Sequence, residues 1–435
     1  MASGRFEIRT LGKPALPNPI SSTERPKYVS QSDRILYDPS IKSVEKAFQA
    51  GETPESFEMA GPREHIFFPP ARTKAAIVTC GGLCPGINSV IRGLVMQLWY
   101  RYQVRNIIGI PYGYGGLGLQ SPYRHESLTP EQVLTIHERG GSFLGSSRGT
   151  PPVGEIVDSL QRSNINILFV IGGDGTMRGA QAIAQEITQR NLQISIVGIP
   201  KTIDNDIPFV KRSFGFETAV SIAAQAALSG HNEAQGTPNG IGLVRLMGRN
   251  SGYIAANTTL ATGHANFCLI PEVDFSIEGE SGLLKLIHGR MKARRNHTLI
   301  IVAEGAGQKY FKKEDLPRDA SGNLKHGDIG LFLKENITTY FQEQGIPTSV
   351  KYIDPSYLIR SAPANPADNL LCASLAKNAV HAAMAGRTAM LIGFWHGKMT
   401  HVPLSALEGE SQKILPNGDL WFNVLETTGQ PAKIG

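Results

Sequence analysis

From residue 74 onward, short apolar runs rich in β-branched residues alternate with amphipathic stretches of helical period. The apolar runs predict strands at 75–79, 106–110, 165–171, 194–199, 240–246, 267–270, 298–303, 349–353 and 389–394. The stretches between them predict helices at 88–100, 130–139, 177–190, 217–228, 253–261, 282–295, 329–343 and 367–385. Strands that are apolar on both faces and alternate with helices favour parallel sheets covered on both sides. About nine strand–helix units are more than one open sheet usually contains. We therefore predict an α/β fold of two stacked Rossmann-like domains with parallel-rich sheets.

The first 72 residues have a different character, because nine prolines interrupt every periodic run and only the stretch 43–50 looks helical. We predict that residues 1–72 form an extended N-terminal arm that lies on the body or reaches a neighbouring subunit. A partly disordered tail is the alternative. The two α/β domains are then expected at 73–208, completed by a C-terminal segment near 387–435, and at 209–386.

Composition excludes several classes of protein. With 41% apolar and 18% charged residues, the chain of 435 residues is too hydrophobic to be disordered. It has no apolar stretch of membrane-spanning length, and residues 1–19 lack the apolar core of a secretion signal. The net charge of +6 is spread out, which speaks against nucleic acid and suits a small polyanion. Four irregularly spaced cysteines fit a reducing compartment, so we expect a cytoplasmic protein.

A glycine-rich turn follows the first predicted strand of the body. Residues 79–88 read TCGGLCPGIN, so bare backbone N–H groups are available to an anion at the mouth of a helix. The sequence matches neither of the common nucleotide-binding glycine motifs. A tight strand-to-helix turn without a ligand is an equally good interpretation.

A second turn, IGGDGT at 171–176, also follows an apolar strand and precedes a helix. Asp174 is flanked by glycines, so it could hold Mg²⁺ while bare backbone packs against phosphate groups. The alternative is that Asp174 only caps the helix.

The third turn, PKTIDND at 200–206, places Lys201, Thr202, Asp204 and Asp206 within six residues. Such a charge cluster is costly and has no packing purpose. One carboxylate could take a proton from a hydroxyl while the other orients a metal or its water, and the lysine would neutralise phosphate charge. A solvated turn is the alternative.

Further turns add three cations and a carboxylate: Arg148 after LGSS, Arg249 in MGR, Arg360 in YLIR, and Glu304 at a strand end. A lone arginine is most often a surface ion-pair partner, and Glu304 could merely cap its strand. Taken singly, each of these signals is weak.

In their order along the chain, these motifs resemble those of phosphofructokinases. The resemblance runs from residue 74 to residue 399 and rests on GGxxPG, LGSSR, GGDGT, PKTIDND, FGFET, MGR and IR…P. GGDGT alone is shared with other kinases, NAD kinases among them, but PKTIDND together with MGR excludes those. The resemblance implies Mg²⁺-dependent phosphoryl transfer from ATP to fructose 6-phosphate by a homodimer or homotetramer.

The resemblance also implies roles for individual residues. On the donor side, in the domain at 73–208, it places Asp174 on Mg²⁺, with Asp206 supporting the metal side. The remaining nucleotide and phosphate contacts that it implies are Gly81, Arg148, Gly149, Gly173, Gly175 and Thr176.

On the acceptor side, the domain at 209–386 is expected to bind the sugar phosphate, and the resemblance makes Asp204, just before this domain in the chain, the general base for the 1-hydroxyl. Arg249 faces the charge of the transferred phosphoryl group, and Lys201 completes the catalytic set. The other contacts that it implies for the sugar phosphate are Thr202, Ile203, Met247, Gly248, Glu304, Tyr357, Leu358, Ile359 and Arg360, the last four for the 6-phosphate.

Three departures from the bacterial ATP-using pattern narrow the expectation. Lys201 stands where those enzymes have glycine, as in pyrophosphate users, but Gly175 stands where pyrophosphate users have aspartate. This pairing, together with the long arm, resembles the ATP-dependent group of plants, some protists and some bacteria. Gly240 stands where the bacterial enzymes usually have an arginine. Lys351 and Tyr357 stand near the positions where those enzymes use an arginine and a histidine for the sugar phosphate. We therefore do not assume that this chain has the effector site of the bacterial enzymes. Pyrophosphate as donor, or a non-catalytic regulatory subunit, are the alternatives.

Overall fold

The computed structural model describes residues 4–20, 28–147, 149–293, 297–317, 324–409 and 411–435. The chain divides into two compact units. The first unit consists of Met1–Thr202, Ile207–Gly215 and Ser361–Ser411, and the second of Ile203–Asp206, Phe216–Arg360 and Gln412–Gly435. Our predicted boundaries differ from this division, because residues 361–386 group with the first unit and residues 412–435 with the second.

The described residues form the following strands: β1 Arg9–Thr10, β2 Leu16–Pro17, β3 Arg34–Leu36, β4 Ser56–Met59, β5 His65–Ile66, β6 Lys74–Thr79, β7 Asn106–Ile110, β8 Glu126–Ser127, β9 Ile167–Gly172, β10 Ser195–Pro200, β11 Gly240–Leu246, β12 Phe267–Leu269, β13 His297–Ala303, β14 Ser349–Ile353, β15 Arg387–Thr388, β16 Met390–Trp395 and β17 Lys398–Pro403. The nine predicted strands are therefore all present, each within two residues of its predicted ends.

The described helices are α1 Ile41–Gln49, α2 Ile87–Met96, α3 Pro130–Val133, α4 Val153–Arg162, α5 Asp174–Gln189, α6 Phe216–Gln235, α7 Tyr253–Thr262, α8 Leu283–Lys292, α9 Ile329–Glu343, α10 Ser356–Ser361, α11 Pro366–Met384 and α12 Asp419–Thr428. None of them is long and apolar enough to cross a membrane. Where we predicted one helix over 130–139, the structure has α3 and then a separate 3₁₀ turn.

A nine-stranded mixed sheet forms the centre of the first unit, in the order β3-β4-β17-β16-β10-β9-β6-β7-β8. Its five middle strands, from β16 to β7, run parallel. All six residues of β9 and all six of β10 are buried, so both faces of the sheet are covered. Because β6, β9 and β10 are neighbours in register, the turns that follow them lie at one edge of the sheet.

The described part of the N-terminal arm packs on the first unit. Strands β3 and β4 extend the sheet beyond β17, and β1 pairs with β15. Glu58 on β4 is buried, and its carboxylate accepts hydrogen bonds from the Arg387 guanidinium at 3.0 and 3.1 Å. A buried charge needs such a partner, so this ion pair fixes the arm to the body.

The second unit is built on a parallel four-stranded sheet in the order β12-β13-β11-β14. Its apolar core includes Leu243 of β11 and Ile300 of β13, with residues of α8 and α9 packed against them. Strand β11 lies between β13 and β14, so the segments that follow these three strands share one edge of the sheet.

Candidate active site

In the first unit, a lysine stabilises the first glycine turn. Gly81 follows β6 with φ of +87°, a left-handed conformation that favours glycine. Its N–H donates to the Ser147 carbonyl at 3.2 Å. Lys201, which follows β10 and is only 6% exposed, donates from Nζ to the Gly82 carbonyl at 2.8 Å. The predicted residues Gly81 and Lys201 are therefore neighbours, and the ammonium group lies against the glycine backbone.

The same turn is held tightly where it enters α2. Gly86 has φ of +102°, and a Cβ there would come within 2.7 Å of Cys372 Sγ and 2.8 Å of the Phe214 ring. A larger residue would push α2 away from α11. Glycine at 86 therefore fixes the direction of the N-terminus of α2, where backbone N–H groups can face an anion.

The GGDGT turn joins β9 to α5. Asp174 is the first residue of α5, at the positive end of the helix dipole, and it forms an ion pair with Arg178 one turn on. Thr176 folds back over the strand end, since a Cβ on Gly172 would lie 2.3 Å from its side chain. A Cβ on Gly175 would contact only Arg178, at 3.8 Å. The space beside Gly175 is therefore open.

Two further predicted donor residues differ in how they are placed. Gly149 has φ of +102°, and no atom lies within 4 Å of a Cβ built there. Gly173, in contrast, has little room for a side chain, because a Cβ there would lie 3.3 Å from the Lys201 carbonyl oxygen. Arg148 lies outside the described residues. The described donor-side residues thus form turns of bare backbone beside one lysine and one aspartate.

Asp174 is the carboxylate of the first unit best suited to a metal ion. Its side chain is 40% exposed, and its partner Arg178 is 67% exposed, so this surface pair can be exchanged. Among the described residues, no three His, Cys, Asp or Glu side chains are grouped to hold a metal ion. Mg²⁺ commonly takes one or two protein carboxylates and completes its shell with phosphate oxygens and water. The donor set therefore fits Mg²⁺ that arrives with a polyphosphate.

In the second unit, Asp204 has an unusual environment for a carboxylate. Burial, and then the charges of Asp206 and Glu304, raise the pKa of Asp204 to about 7, although Arg360 and a hydrogen bond from the Arg249 backbone act to lower it. Ser251 Oγ donates to the Asp204 carbonyl at 2.9 Å and fixes the loop. A carboxylate with this pKa can accept a proton near neutral pH.

The remaining residues of the PKTIDND turn hold it in place. Ser213 Oγ donates to the Thr202 carbonyl at 2.7 Å in the first unit. In the second unit Ile203 is 6% exposed, and the Asp206 carbonyl accepts from the Gln412 N–H at 2.7 Å. The turn is therefore ordered at both ends, and our alternative of a solvated turn does not describe it.

The MGR turn after β11 and the Glu304 turn after β13 are joined closely. Gly248 has φ of +131°, and its carbonyl accepts from the Gly305 N–H at 3.2 Å. A Cβ on Gly305 would lie only 2.0 Å from the Arg249 carbonyl. Met247 is buried at 4% exposure, so its side chain supports the turn from inside. Arg249 and Glu304 are thus brought together by backbone contact.

Residues 357–360 form most of the short helix α10. Tyr357 and Leu358 are exposed, at 85% and 69%, whereas Ile359 is fully buried, so only the backbone of Ile359 can face a ligand. Arg360 lies near enough to Asp204 to lower its pKa. Asp204, Glu304 and Arg360 therefore belong to one electrostatic cluster in the second unit. Arg249 joins them through its backbone hydrogen bond to Asp204, while its guanidinium donates to the Leu324 carbonyl at 2.7 Å.

Sequence reasoning missed Arg245, which ion-pairs with Glu304 at 3.2 Å. The signal was present, because Arg245 is the one charged residue in the apolar strand 240–246, two residues before MGR. Sequence reasoning also missed Gln308, whose Nε2 donates to the Glu304 carbonyl at 2.8 Å. Both residues hold Glu304 in place, and neither lies within one of the motifs quoted above.

The two sets of residues suit different chemistry. In the first unit, bare backbone, Lys201 and Asp174 suit a polyphosphate with its metal ion. In the second unit, a carboxylate of raised pKa beside two arginines suits an anionic acceptor that must lose a proton.

Comparison with known proteins gives consistent matches. A family model described as phosphofructokinase matches residues 74–383. The chain is 49% identical to the ATP-dependent 6-phosphofructokinase of Borreliella burgdorferi, over 98% of this chain and 97% of that protein. It is 43% identical to ATP-dependent 6-phosphofructokinase 7 of Arabidopsis thaliana, over 97% of this chain and 86% of that protein.

Solved structures resemble the chain at lower identity. The pyrophosphate-dependent phosphofructokinase from Nitrosospira multiformis has a TM-score of 0.65 at 19% identity, covering 83% of this chain and 93% of that one. Phosphofructokinase of Pichia pastoris in the T-state has a TM-score of 0.61 at 22% identity, covering 77% of this chain and 35% of that one. The chain thus spans about a third of the yeast protein, and at these identities the likeness shows the fold alone.

Proposed function

The chain belongs to the phosphofructokinase family, and we propose that it transfers the γ-phosphoryl group of ATP to the 1-hydroxyl of fructose 6-phosphate. The products are fructose 1,6-bisphosphate and ADP, and the reaction is a step of glycolysis. The observation that carries this proposal is Asp204, whose pKa is raised to about 7 beside Arg249 and Arg360. A general base works best when its pKa lies near the working pH.

The second unit supplies the acceptor chemistry in this proposal. Asp204 takes the proton of the attacking 1-hydroxyl as the phosphoryl group arrives. Arg249 faces the charge that spreads over the transferring group, and such stabilisation contributes most of the rate in phosphoryl transfer. Glu304 accepts a hydrogen bond from a sugar hydroxyl, and Arg360 with its neighbours on α10 binds the unreactive 6-phosphate. Thr202, Ile203, Met247 and Gly248 shape the site around the sugar.

The first unit supplies the donor site. The backbone at Gly81, Gly149, Gly173 and Gly175 carries no side chain, so the triphosphate can approach it closely, with Thr176 beside it. Lys201 brings a positive charge under this backbone. Arg148, outside the described residues, is assigned to the donor phosphates by its place in the LGSSR motif.

Asp174 would hold Mg²⁺, and Asp206 is assigned to the metal side by its place in the PKTIDND motif. The ion would supply positive charge that neutralises the phosphate groups of the donor. The ion pair with Arg178 orients the Asp174 carboxylate before nucleotide arrives.

A direct comparison of donors tests the proposal. Initial rates of the purified chain are measured with fructose 6-phosphate and Mg²⁺, with either ATP or pyrophosphate as donor. We expect turnover with ATP and almost none with pyrophosphate. Lys201 favours the second candidate, a pyrophosphate-dependent enzyme, and a pyrophosphate rate equal to or above the ATP rate would support it. No turnover with either donor would favour a non-catalytic subunit.

We further propose that the enzyme is a cytoplasmic homodimer or homotetramer. All four cysteines lie among the described residues, are buried and form no disulfide there, which agrees with a reducing compartment. Helix α1 has no buried residue, with Ile41 and Phe48 exposed at 76% and 66%, so part of the arm has apolar surface available for a neighbouring subunit. Light scattering on the purified full chain would measure the assembly.

A further inference from the structure

We propose that Arg245 is a positioning residue for the sugar-phosphate acceptor, one that sets Glu304 and the 6-phosphate segment of α10 at the same time. This inference rests on the proposed function. It starts from the position of β11, whose end lies between the ends of β13 and β14. A long cation at that point can reach the segments that follow both neighbouring strands.

The guanidinium of Arg245 faces a carboxylate on each of its sides. Nη2 lies 3.2 Å from Glu304 Oε2, Nη1 lies 2.6 Å from Asp354 Oδ2, and Nε lies 3.8 Å from Asp328 Oδ1. The side chain is 15% exposed. Burial acts to lower the pKa of Arg245, but these carboxylates raise it above its usual value, so the charge is held firmly.

Two of these carboxylates lie at the starts of helices, and the third is the predicted sugar contact. Asp354 accepts a hydrogen bond from the Ser356 N–H at 2.9 Å and so fixes the start of α10, which carries Arg360. Asp328 accepts from the Leu331 N–H at 3.0 Å as the N-cap of α9. Glu304 is the predicted contact of the sugar. Arg245 therefore connects the sugar contact to the phosphate contact through the protein.

The contacts of Arg245 distinguish positioning from direct binding of phosphate. Its Nη1 donates to Asp354 and its Nη2 donates to Glu304, while Asp328 lies 3.8 Å from Nε, so the charge serves these carboxylates. Without the charge of Arg245, the three carboxylates would repel one another and would also repel an incoming phosphate dianion. Loss of Arg245 should therefore weaken acceptor binding far more than donor binding.

The test compares R245Q and R245K with wild type in steady-state kinetics for both substrates. We expect R245Q to raise the KM for fructose 6-phosphate by about 10- to 100-fold, the range for hydrogen bonds to charged groups, with the KM for ATP within about twofold. R245K keeps the charge but not the three-way geometry, so its KM should fall between the two.

R190Q is the matched control, because Arg190 also pairs with two carboxylates, Asp158 and Glu186, but lies at the C-terminal end of α5, whereas the predicted contacts of the GGDGT turn lie at the N-terminal end. Its KM values should not change. If R245Q does not fold, as judged by its melting curve, D354N removes one of the three pairs and should still raise the acceptor KM selectively.

Three outcomes would overturn the proposal. One is an unchanged acceptor KM in R245Q, or in D354N where that variant replaces it. Another is an equal rise in both KM values, which would indicate a purely structural role. A wild type that is inactive with fructose 6-phosphate and either donor would refute the proposed function itself, whereas an active wild type with an unaffected R245Q refutes only this inference.

Discussion

Gly175 offers the sharpest test of donor choice, through the substitution Gly175→Asp. Because a Cβ there would meet only Arg178, at 3.8 Å, the backbone has no reason to move. Residue 175 lies in the first turn of α5, where an acidic side chain is favoured by about 0.3–1 kcal/mol. Replacing a helical glycine adds about 0.5–1 kcal/mol more. The variant should therefore be as stable as wild type, or slightly more stable.

The cost of this substitution falls on the nucleotide. A carboxylate about 4 Å from a phosphate charge is disfavoured by about 4 kcal/mol at an effective dielectric constant of about 20. The open position of the groove and the nearby Arg178 reduce this penalty. We therefore expect a loss of at least about 100-fold in kcat/KM for ATP, or about 2.7 kcal/mol of transition-state stabilisation.

The assay is kcat/KM for ATP at saturating fructose 6-phosphate, with melting temperatures measured in parallel. Gly175→Asn is the matched control, since it has the same size without the charge and separates steric from electrostatic exclusion. Gly175→Ala tests the open space alone and should stay within a few-fold of wild type. If Gly175→Asp kept more than a tenth of the ATP activity while remaining folded, donor choice would have to lie elsewhere.

Other predictions concern the acceptor side and pH. Asp204→Asn should lower kcat by about 10²–10⁴, as expected for a positioned base. In the wild type, kcat/KM should fall as pH drops below about 7, because Asp204 then becomes protonated. Because the pKa of Asp204 is raised in the fold, its charge destabilises the protein above pH 7, so Asp204→Asn should also raise Tm at pH 8. Arg249→Ala should mainly lower kcat and Arg360→Ala mainly raise the KM for fructose 6-phosphate; steady-state kinetics showing the reverse would mean that their roles are exchanged. Burial, and then His264 and His297, lower the pKa of His231, so stability is lost as pH falls below about 6.5, and His231→Asn should lessen that loss in urea unfolding.

The sequence predicted the parallel framework well because that framework follows from local pattern. Strands at 106–110, 240–246 and 349–353 and the helix at 329–343 have the predicted ends. Each is an apolar run between clear turn signals, so burial and period agree. Helix α4 was missed, because it begins after two prolines and has no side-chain cap to mark its start. Strand β17 was missed because it runs antiparallel, outside the strand-then-helix pattern.

The electrostatics of the candidate site could be predicted only in part. The motifs identified Asp204, Arg249 and Glu304 as chemical residues, since their types and turns are visible in the sequence. The raised pKa of Asp204 depends on burial and on the charge of Glu304, a hundred residues away along the chain. The role of Arg245 depends on β11 lying between β13 and β14, and sheet order is not written in any local pattern.

Lys201 shows why a positive charge need not choose the donor. From sequence alone it favours pyrophosphate, because a lysine beside phosphates attracts a small dense anion. In the structure its Nζ donates to the Gly82 carbonyl, and the residue is 6% exposed, so the charge is fixed beneath the first glycine turn. A charge held there attracts the phosphates of ATP and of pyrophosphate alike. Selection therefore requires a feature that rejects one of them, and the space left by the missing side chain at Gly175 is where such rejection would act.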